Sequence, residues 1–264
     1  MITSPELRST AREKKLRLDI IEKDYALGWI LIGVSLSSLS EKIIFKGGTA
    51  LSKVYFPTNW RLSEDLDFTL SEDSTIDDVS NLLVDELPDI VDKVSDGLEL
   101  NFRDKPYTAD NFLRTRVQCV SSIFRCNAKI EVSTERFIGD YDKIHVTPSY
   151  DYPDFYISTY TLNTILAEKL RAIIERGKIR DYYDVWRLLK IEAIDTKKTR
   201  ELFIRKCEAK DIEFINVDQF FPEGIVRRLE PYLEPGLTQL SSEPLPTIQK
   251  IIEDTRKMIT GIFT

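Results

Sequence analysis

The chain has 264 residues, of which 42% are hydrophobic and 31% charged, and its 37 Lys and Arg against 44 Asp and Glu give a net charge of −7. That length accommodates one large domain or two modest ones, and the composition excludes a disordered polyanion and an integral membrane protein. The acidic balance argues against a generally basic nucleic-acid coat but allows a local cationic groove.

Residue types narrow the chemistry further. The three cysteines, Cys119, Cys126 and Cys207, lack metal-ligand spacing and fit the reduced, mostly buried thiols of a cytoplasmic protein. His145 is the one histidine, so a Ser-His-Asp hydrolase is set aside and a multi-histidine metal site is excluded. Any chemistry falls to carboxylates, lysines, arginines and hydroxyls. Residues 1–20 are charged throughout, unlike a secretory signal. The apolar run at 26–39 is interrupted by serines and suits a buried core helix, not a membrane span.

In chain order, residues 16–39 predict a helix, with Leu16, Ile20, Tyr25 and Leu27 on one broad apolar face. Residues 42–45 (KIIF) predict a buried strand ended by Gly47-Gly48, and 49–56 a short helix stopped by Pro57. A second strand over 66–70 alternates apolar residues with carboxylates, and 77–94 predict a helix broken near Pro88. Period-two alternation predicts strands over 97–103, 115–124 and 127–134, the last holding AKIEVS at 128–133. Residues 141–160, rich in Tyr, Pro and Asp without a period, predict a loop crossing between lobes. Helices follow over 162–175, 181–189 and 199–206, with fainter helical stretches at 222–233 and 246–262. This describes an α+β protein: a mixed lobe over 1–157 with a small mixed β-sheet flanked by helices, and an α-helical lobe over 158–264.

Three pieces carry candidate chemistry. The first is Gly47-Gly48-Thr49 between strand and helix, where bare amides can cradle phosphate, with Thr49, Ser52 and Lys53 adding hydroxyls and a cation. A tight connection is the plainer reading, and the spacing is not that of a Walker motif. The second is RLSEDLDF at 61–68, in which period two puts Asp65 and Asp67 on one strand face. Such a pair repels itself and suits a divalent cation plus phosphate oxygens, the alternative being a solvated strand edge. The third joins Lys169, in AEKLR at 167–171, with Arg180, Asp181 and Asp184 in RDYYD at 180–184. Arg180, Asp181 and Asp184 can share one helical face, as a surface salt-bridge cluster at a helix N-terminus or as part of a site.

Taken together, EKDY at 22–25, FKGGTAL at 45–51, RLSEDLDF at 61–68, AEKL at 167–170 and RDYYD at 180–184 resemble the AbiEii/AbiGii-type nucleotidyltransferase toxin family of the DNA polymerase β-like superfamily. The resemblance runs from about residue 20 to 189 and implies a nucleotidyltransferase fold with a helical C-terminal lobe. It also implies a type IV-like toxin–antitoxin or phage-defence system, with a cognate antitoxin as partner. The implied reaction moves NMP from an NTP to an acceptor, foremost the 3′ end of tRNA, with Mg²⁺ or alternatively Mn²⁺. The resemblance makes Gly47, Gly48, Thr49 and Ser63 the phosphate-side residues and Asp65 and Asp67 the metal ligands. It adds Lys169 and one of Asp181 or Asp184. A third carboxylate belongs on a later strand, and Glu131 is the candidate, because Ile130 and Val132 take the opposite face; without it, one ion replaces two. Gly48 stands where many relatives carry serine, leaving Thr49 as the stand-in.

An RNA acceptor needs cations, and Arg171, Arg176, Lys178 and Arg180 with Arg12, Lys14, Lys15 and Arg17 are the candidates, a solvated helix face being the other reading. Tyr182, Tyr183 and Trp186 can stack a base, although aromatic residues at helical spacing more often fill a core. A different class of function remains open at this point: a nucleotide-binding, non-catalytic regulator acting through a protein partner. Transfer to a protein hydroxyl is a third.

Overall fold

The computed structural model describes residues 1–147 and 149–263. The chain divides into two compact units, the first comprising Met1–Phe137 and Tyr141–Tyr160, the second Ile138–Asp140 and the chain from Thr161 onward.

Unit 1 opens with α1 (Ser4–Lys14) and α2 (Leu18–Leu36). The first helix is absent from the sequence-based expectations because only Leu7 and Ala11 are buried on it. Its readable signal is a capping box: the Thr3 amide donates to Glu6 Oε2 at 2.8 Å, ahead of Pro5. Helix α2 is buried nearly all round from Asp24 to Val34, as its apolar run predicts.

Next come β1 (Ile43–Lys46), the short α3 (Gly47–Ala50) with a π turn over Leu51–Tyr55, and β2 (Asp65–Leu70). Helices α4 (Ile76–Asp85) and α5 (Leu87–Ser95) replace the single broken helix, the interruption falling at Glu86. Strands β3 (Glu99–Phe102), β4 (Tyr107–Ala109), β5 (Phe112–Val120) and β6 (Arg125–Ser133) follow, then β7 (Tyr141–Val146) and β8 (Phe155–Tyr160). The sheet order is β3-β5-β6-β2-β1-β8-β7, with β4 pairing on β5.

The loop expected over 141–160 is therefore corrected: it holds two strands. β8 joins β1 in parallel through Phe45 and Thr159, and among the described residues β7 pairs only with β8. An edge strand is exposed on much of its length, so β7 carries no burial pattern for local reading to detect. Its His145 faces Asp154 at 3.2 Å.

One face of the sheet is apolar, with Phe45, Leu66, Phe68, Ile130 and Val132 all at most 1% exposed. Helix α2 packs on β6, β8 and α5. Cys119 and Cys126 face each other across the β5–β6 pair as free thiols.

A buried ion pair ties these layers together. Lys53 Nζ lies 2.8 Å from Asp24 Oδ1 and donates to the Asp24 carbonyl at 2.8 Å, while Tyr150 Oη donates to Asp24 Oδ2 at 2.7 Å. Burial pushes the Lys53 ammonium down and the Asp24 carboxylate pulls it back up. The expectation that Lys53 serves as a phosphate cation is thus corrected, since its charge is occupied inside unit 1. Ser52 is likewise buried, with its hydroxyl donating to the Thr49 carbonyl at 3.3 Å.

Unit 2 is helical: α6 (Leu162–Glu175), α7 (Ile179–Leu188), α8 (Thr196–Glu208), the short α9 (Ile225–Leu229) and α10 (Leu233–Gly236), and α11 (Ile248–Phe263). Its core stacks Phe203, Phe214, Phe220 and Phe263, with ring centroids 4.9–5.7 Å apart. Among the described residues no helix is long and apolar enough to cross a membrane.

Removing one partner of a buried ion pair leaves an uncompensated charge, at a cost of about 3–5 kcal/mol. Urea unfolding is expected to show Asp24→Leu destabilised by roughly that amount, whereas Asp24→Leu combined with Lys53→Met recovers most of the loss. Additive losses in the double variant would mean that the pair is not coupled.

Candidate active site

Antiparallel pairing sets Lys46 opposite Asp67 on β1 and β2, and parallel pairing sets Asp65 opposite Lys129 and Asp67 opposite Glu131 on β2 and β6. Because strand side chains alternate, Asp65, Asp67, Lys129 and Glu131 share the polar face of the sheet. Leu66 and Phe68 bury the other face and fix that orientation.

The glycine turn closes on this face. Gly47 has φ +80°, and a Cβ there would lie 2.8 Å from Asp67 Oδ2. At Gly48 a Cβ would lie 2.9 Å from Arg61 Nη2 and 3.4 Å from Ser63 Oγ. The two motifs, read separately in the sequence, therefore meet: one glycine rests on a carboxylate, the next on a guanidinium and a hydroxyl. Thr49 is fully buried and its Oγ1 donates to the Asp65 carbonyl, so this hydroxyl braces the turn against β2.

Burial pushes the Asp67 carboxyl above the usual carboxylate range; Lys46 and Lys129 pull it down, and Asp65 and Glu131 push it up. The local charges are already in contact. Lys129 Nζ sits 3.1 Å from Asp65 Oδ2 and 3.9 Å from Glu131 Oε2, and Arg114 Nε donates to Glu131 Oε2 at 2.8 Å.

Among the described residues no three His, Cys, Asp or Glu side chains form a cluster able to hold a metal. The expectation of Glu131 as a third metal ligand is corrected accordingly: it stands beside Asp67 in register, but Arg114 and Lys129 compensate its charge. What fits a hard divalent ion is the Asp65–Asp67 pair, two oxygen donors on one face, because Mg²⁺ takes one or two carboxylates and completes its shell with water and phosphate oxygens. The ammonium of Lys129, placed against Asp65, marks a position where positive charge is stabilised.

In unit 2, Lys169 lies 3.3 Å from Asp181 Oδ1 and 2.9 Å from Asp184 Oδ2, so both aspartates hold it. Arg176 adds a fork onto Asp181, at 2.9 and 3.0 Å, from the end of α6 where Gly177 turns the chain with φ +51°. Arg180 Nε donates to the Gly236 carbonyl at 2.9 Å. Tyr182 and Tyr183 are at most 2% exposed, and Tyr182 Oη donates to the Phe220 carbonyl at 2.5 Å, so both belong to the core. Trp186 Nε1 donates to Asp254 Oδ2 at 3.1 Å.

The cationic path expected on the helices is also corrected in part. Arg171 pairs with Glu175 at 2.7 Å, Arg176 with Asp181, and Arg17 with Asp19 at 2.7 Å.

Desolvation raises the Asp181 carboxyl, but Lys169 and Arg176 outweigh it and hold the group at about 2. A carboxyl depressed on folding adds stability above its unfolded value, here about 2 kcal/mol, and loses it as pH falls from about 4 toward 2. Denaturant titrations across that window are expected to be flatter for Asp181→Asn than for the unaltered protein; equal slopes would remove Asp181 as the source.

Comparisons with known proteins agree on the fold. The MenT4 nucleotidyltransferase toxin of Mycobacterium tuberculosis H37Rv aligns over 100% of this chain and 90% of its own, at 18% identity and a TM-score of 0.75. The JHP933 structure from Helicobacter pylori aligns over 94% and 93%, at 16% identity and 0.53. A putative nucleotidyltransferase from H. pylori aligns over 94% and 96%, at 16% and 0.54. Comparison with curated proteins gives no match. The family model described as nucleotidyl transferase AbiEii toxin, type IV TA system, matches residues 29–255, which hold the glycine turn, the aspartate pair and the Lys169 cluster. The chain belongs to this AbiEii family of nucleotidyltransferase toxins of type IV toxin–antitoxin systems.

Proposed function

We propose that the protein transfers a nucleoside monophosphate from an NTP to an RNA acceptor, foremost the 3′ end of tRNA, in the cytoplasm and under the control of a cognate antitoxin. The observation that carries this reading is the contact of Asp67 with Gly47, which sets a carboxylate directly against a turn with no side chain of its own. A phosphate can approach the backbone there, beside an acid that needs positive charge.

Asp65 and Asp67 are the residues that would hold Mg²⁺ or Mn²⁺. When bound, such an ion neutralises charge on the transferring phosphoryl group and on departing pyrophosphate. The chain's own part is positional. Gly47 and Gly48 admit the phosphates, and Ser63 offers a hydroxyl beside Gly48. Thr49 keeps the turn fixed on β2, so the cradle is preformed before substrate arrives. Glu131, held by Arg114 and Lys129, is poised near Asp67 in register to accept a hydrogen bond from an attacking hydroxyl. Lys169 enters separately: two carboxylates hold its ammonium in one orientation, a property useful toward an anionic substrate.

Incubation with labelled NTPs, Mg²⁺ and total tRNA is expected to label tRNA, and chelation to stop it. Asp65→Asn and Asp67→Asn are each expected to lower incorporation by roughly 10²–10³-fold with unchanged circular dichroism. Unchanged turnover would refute the metal assignment. NTP binding without incorporation into any acceptor would favour the non-catalytic regulator, and label found on protein would replace RNA as acceptor.

Gly47→Ala places a Cβ against Asp67 at a left-handed backbone position. It is expected to raise the KM for NTP and to destabilise the fold by about 1–3 kcal/mol. Wild-type kinetics and stability in this variant would show that the turn is not under that constraint.

A further inference from the structure

Beyond the carboxylate pair, the polar face of the unit 1 sheet continues into a cleft of about 870 Å³. Six cations line it, Lys23, Arg103, Lys105, Arg114, Arg116 and Lys129, against two acids, Asp65 and Asp104. In a chain of net charge −7 this is a local reversal of sign. Lys129 and Arg114 answer the acids of β2 and β6, and Lys23 lies 3.9 Å from Glu64. Arg103, Lys105 and Arg116, in contrast, have no carboxylate within ion-pair distance among the described residues, and all three are exposed.

Strand register orders these groups. One row across the sheet runs Tyr107, Arg114, Glu131, Asp67, and the next runs Arg116, Lys129, Asp65. Arg114 and Arg116 are two residues apart, which spaces them about 7 Å along β5 on one face. The rows therefore lead from the candidate metal ligands to the β4 edge, where Tyr107 is 64% exposed.

We propose that this cleft binds the phosphate backbone of a single-stranded nucleic acid, the 3′ end of the acceptor, and that Tyr107 stacks on one of its unpaired bases. The proposal rests on the reading above that the acceptor is a nucleic acid, and it specifies where that acceptor lies. A triphosphate concentrates its charge at one point, whereas these cations are spread over several strands and end at an aromatic ring. Distributed cations with an exposed aromatic are the means by which unpaired strands are held. A duplex would leave Tyr107 no base face to meet.

Fluorescence anisotropy of a labelled single-stranded oligoribonucleotide tests the proposal, with a labelled non-hydrolysable NTP analogue and labelled polyglutamate as parallel probes. The variant Arg103→Ala/Lys105→Ala/Arg116→Ala is expected to weaken oligonucleotide binding at least about tenfold at low salt. It should also make the slope of log affinity against log salt shallower by about 2. Tyr107→Ala is expected to weaken the same complex about 5- to 100-fold while leaving the salt slope unchanged. NTP-analogue affinity should be unaltered in both.

Unchanged oligonucleotide affinity in either variant overturns the proposal. Equal losses for the NTP analogue would make the cleft a donor-nucleotide site, and tight polyglutamate binding lost in the triple variant, with Tyr107→Ala neutral, would make it a surface for an acidic protein. Binding that needs the cleft, in a wild-type protein that labels no RNA, would leave the cleft standing and remove the transfer reaction. Full RNA labelling by the triple variant would remove the cleft alone.

Discussion

Like charges on adjacent strands must be compensated, and unit 1 is organised around that requirement. Asp65, Asp67 and Glu131 occupy one face of a mixed sheet at neighbouring register positions, which is unfavourable by itself. Lys46, Lys129 and Arg114 answer them across the strands, so the neighbouring acids Glu131 and Asp67 are flanked by Arg114 and Lys46, and Asp65 faces Lys129. Asp67 remains the group with the least favourable surroundings, because burial raises its carboxyl despite two lysines. Such a carboxylate gains from any further cation, and the glycine turn beside it leaves room for an anion. An acid short of positive charge next to a cradle for negative charge suits the proposed metal–phosphate complex, which would meet the central need of nucleotidyl transfer.

Each unit also contains a buried ion pair that holds charged side chains in one arrangement. In unit 1, Asp24 gathers Lys53 and Tyr150, so the EKDY segment anchors the end of the glycine-turn segment to α2. In unit 2, Asp181 and Asp184 hold Lys169, and Arg176 completes the set. Interior ion pairs add little net stability over apolar packing, but breaking one is costly. Their value lies in fixing a single arrangement of charged side chains. That accounts for the buried charged residues of these segments, Asp24, Lys169, Asp181 and Asp184.

The net acidity of the chain conceals its local chemistry. Positive charge is gathered along β5, β6 and the chain leading to β4, beside the acids that would hold the metal. Electrostatic focusing depends on such local concentration, and a cleft with apolar strands behind it strengthens the field at its floor. A toxin acting on a polyanion needs no overall positive charge if its cations are aligned at one face.

By itself the sequence determined the parts. Period-two alternation placed Asp65 and Asp67 on one face and Glu131 beside Ile130 and Val132, and the apolar run of α2 announced a buried helix. These are local consequences of strand and helix geometry, and the family motifs supplied the rest of that reading. Only the tertiary structure decided what each charged group meets. Lys53 pairs with Asp24 29 residues earlier, Glu131 with Arg114 17 residues away, and β8 with β1 more than a hundred residues back. Side-chain partners across such separations follow from strand order and register, which no local pattern encodes. For the same reason β7 was invisible, since an exposed edge strand has one pairing partner and no buried face to impose a rhythm on its residues. The cationic cleft belongs to the tertiary structure too: its arginines and lysines are scattered from 23 to 129 in sequence and become a surface only when the strands assemble.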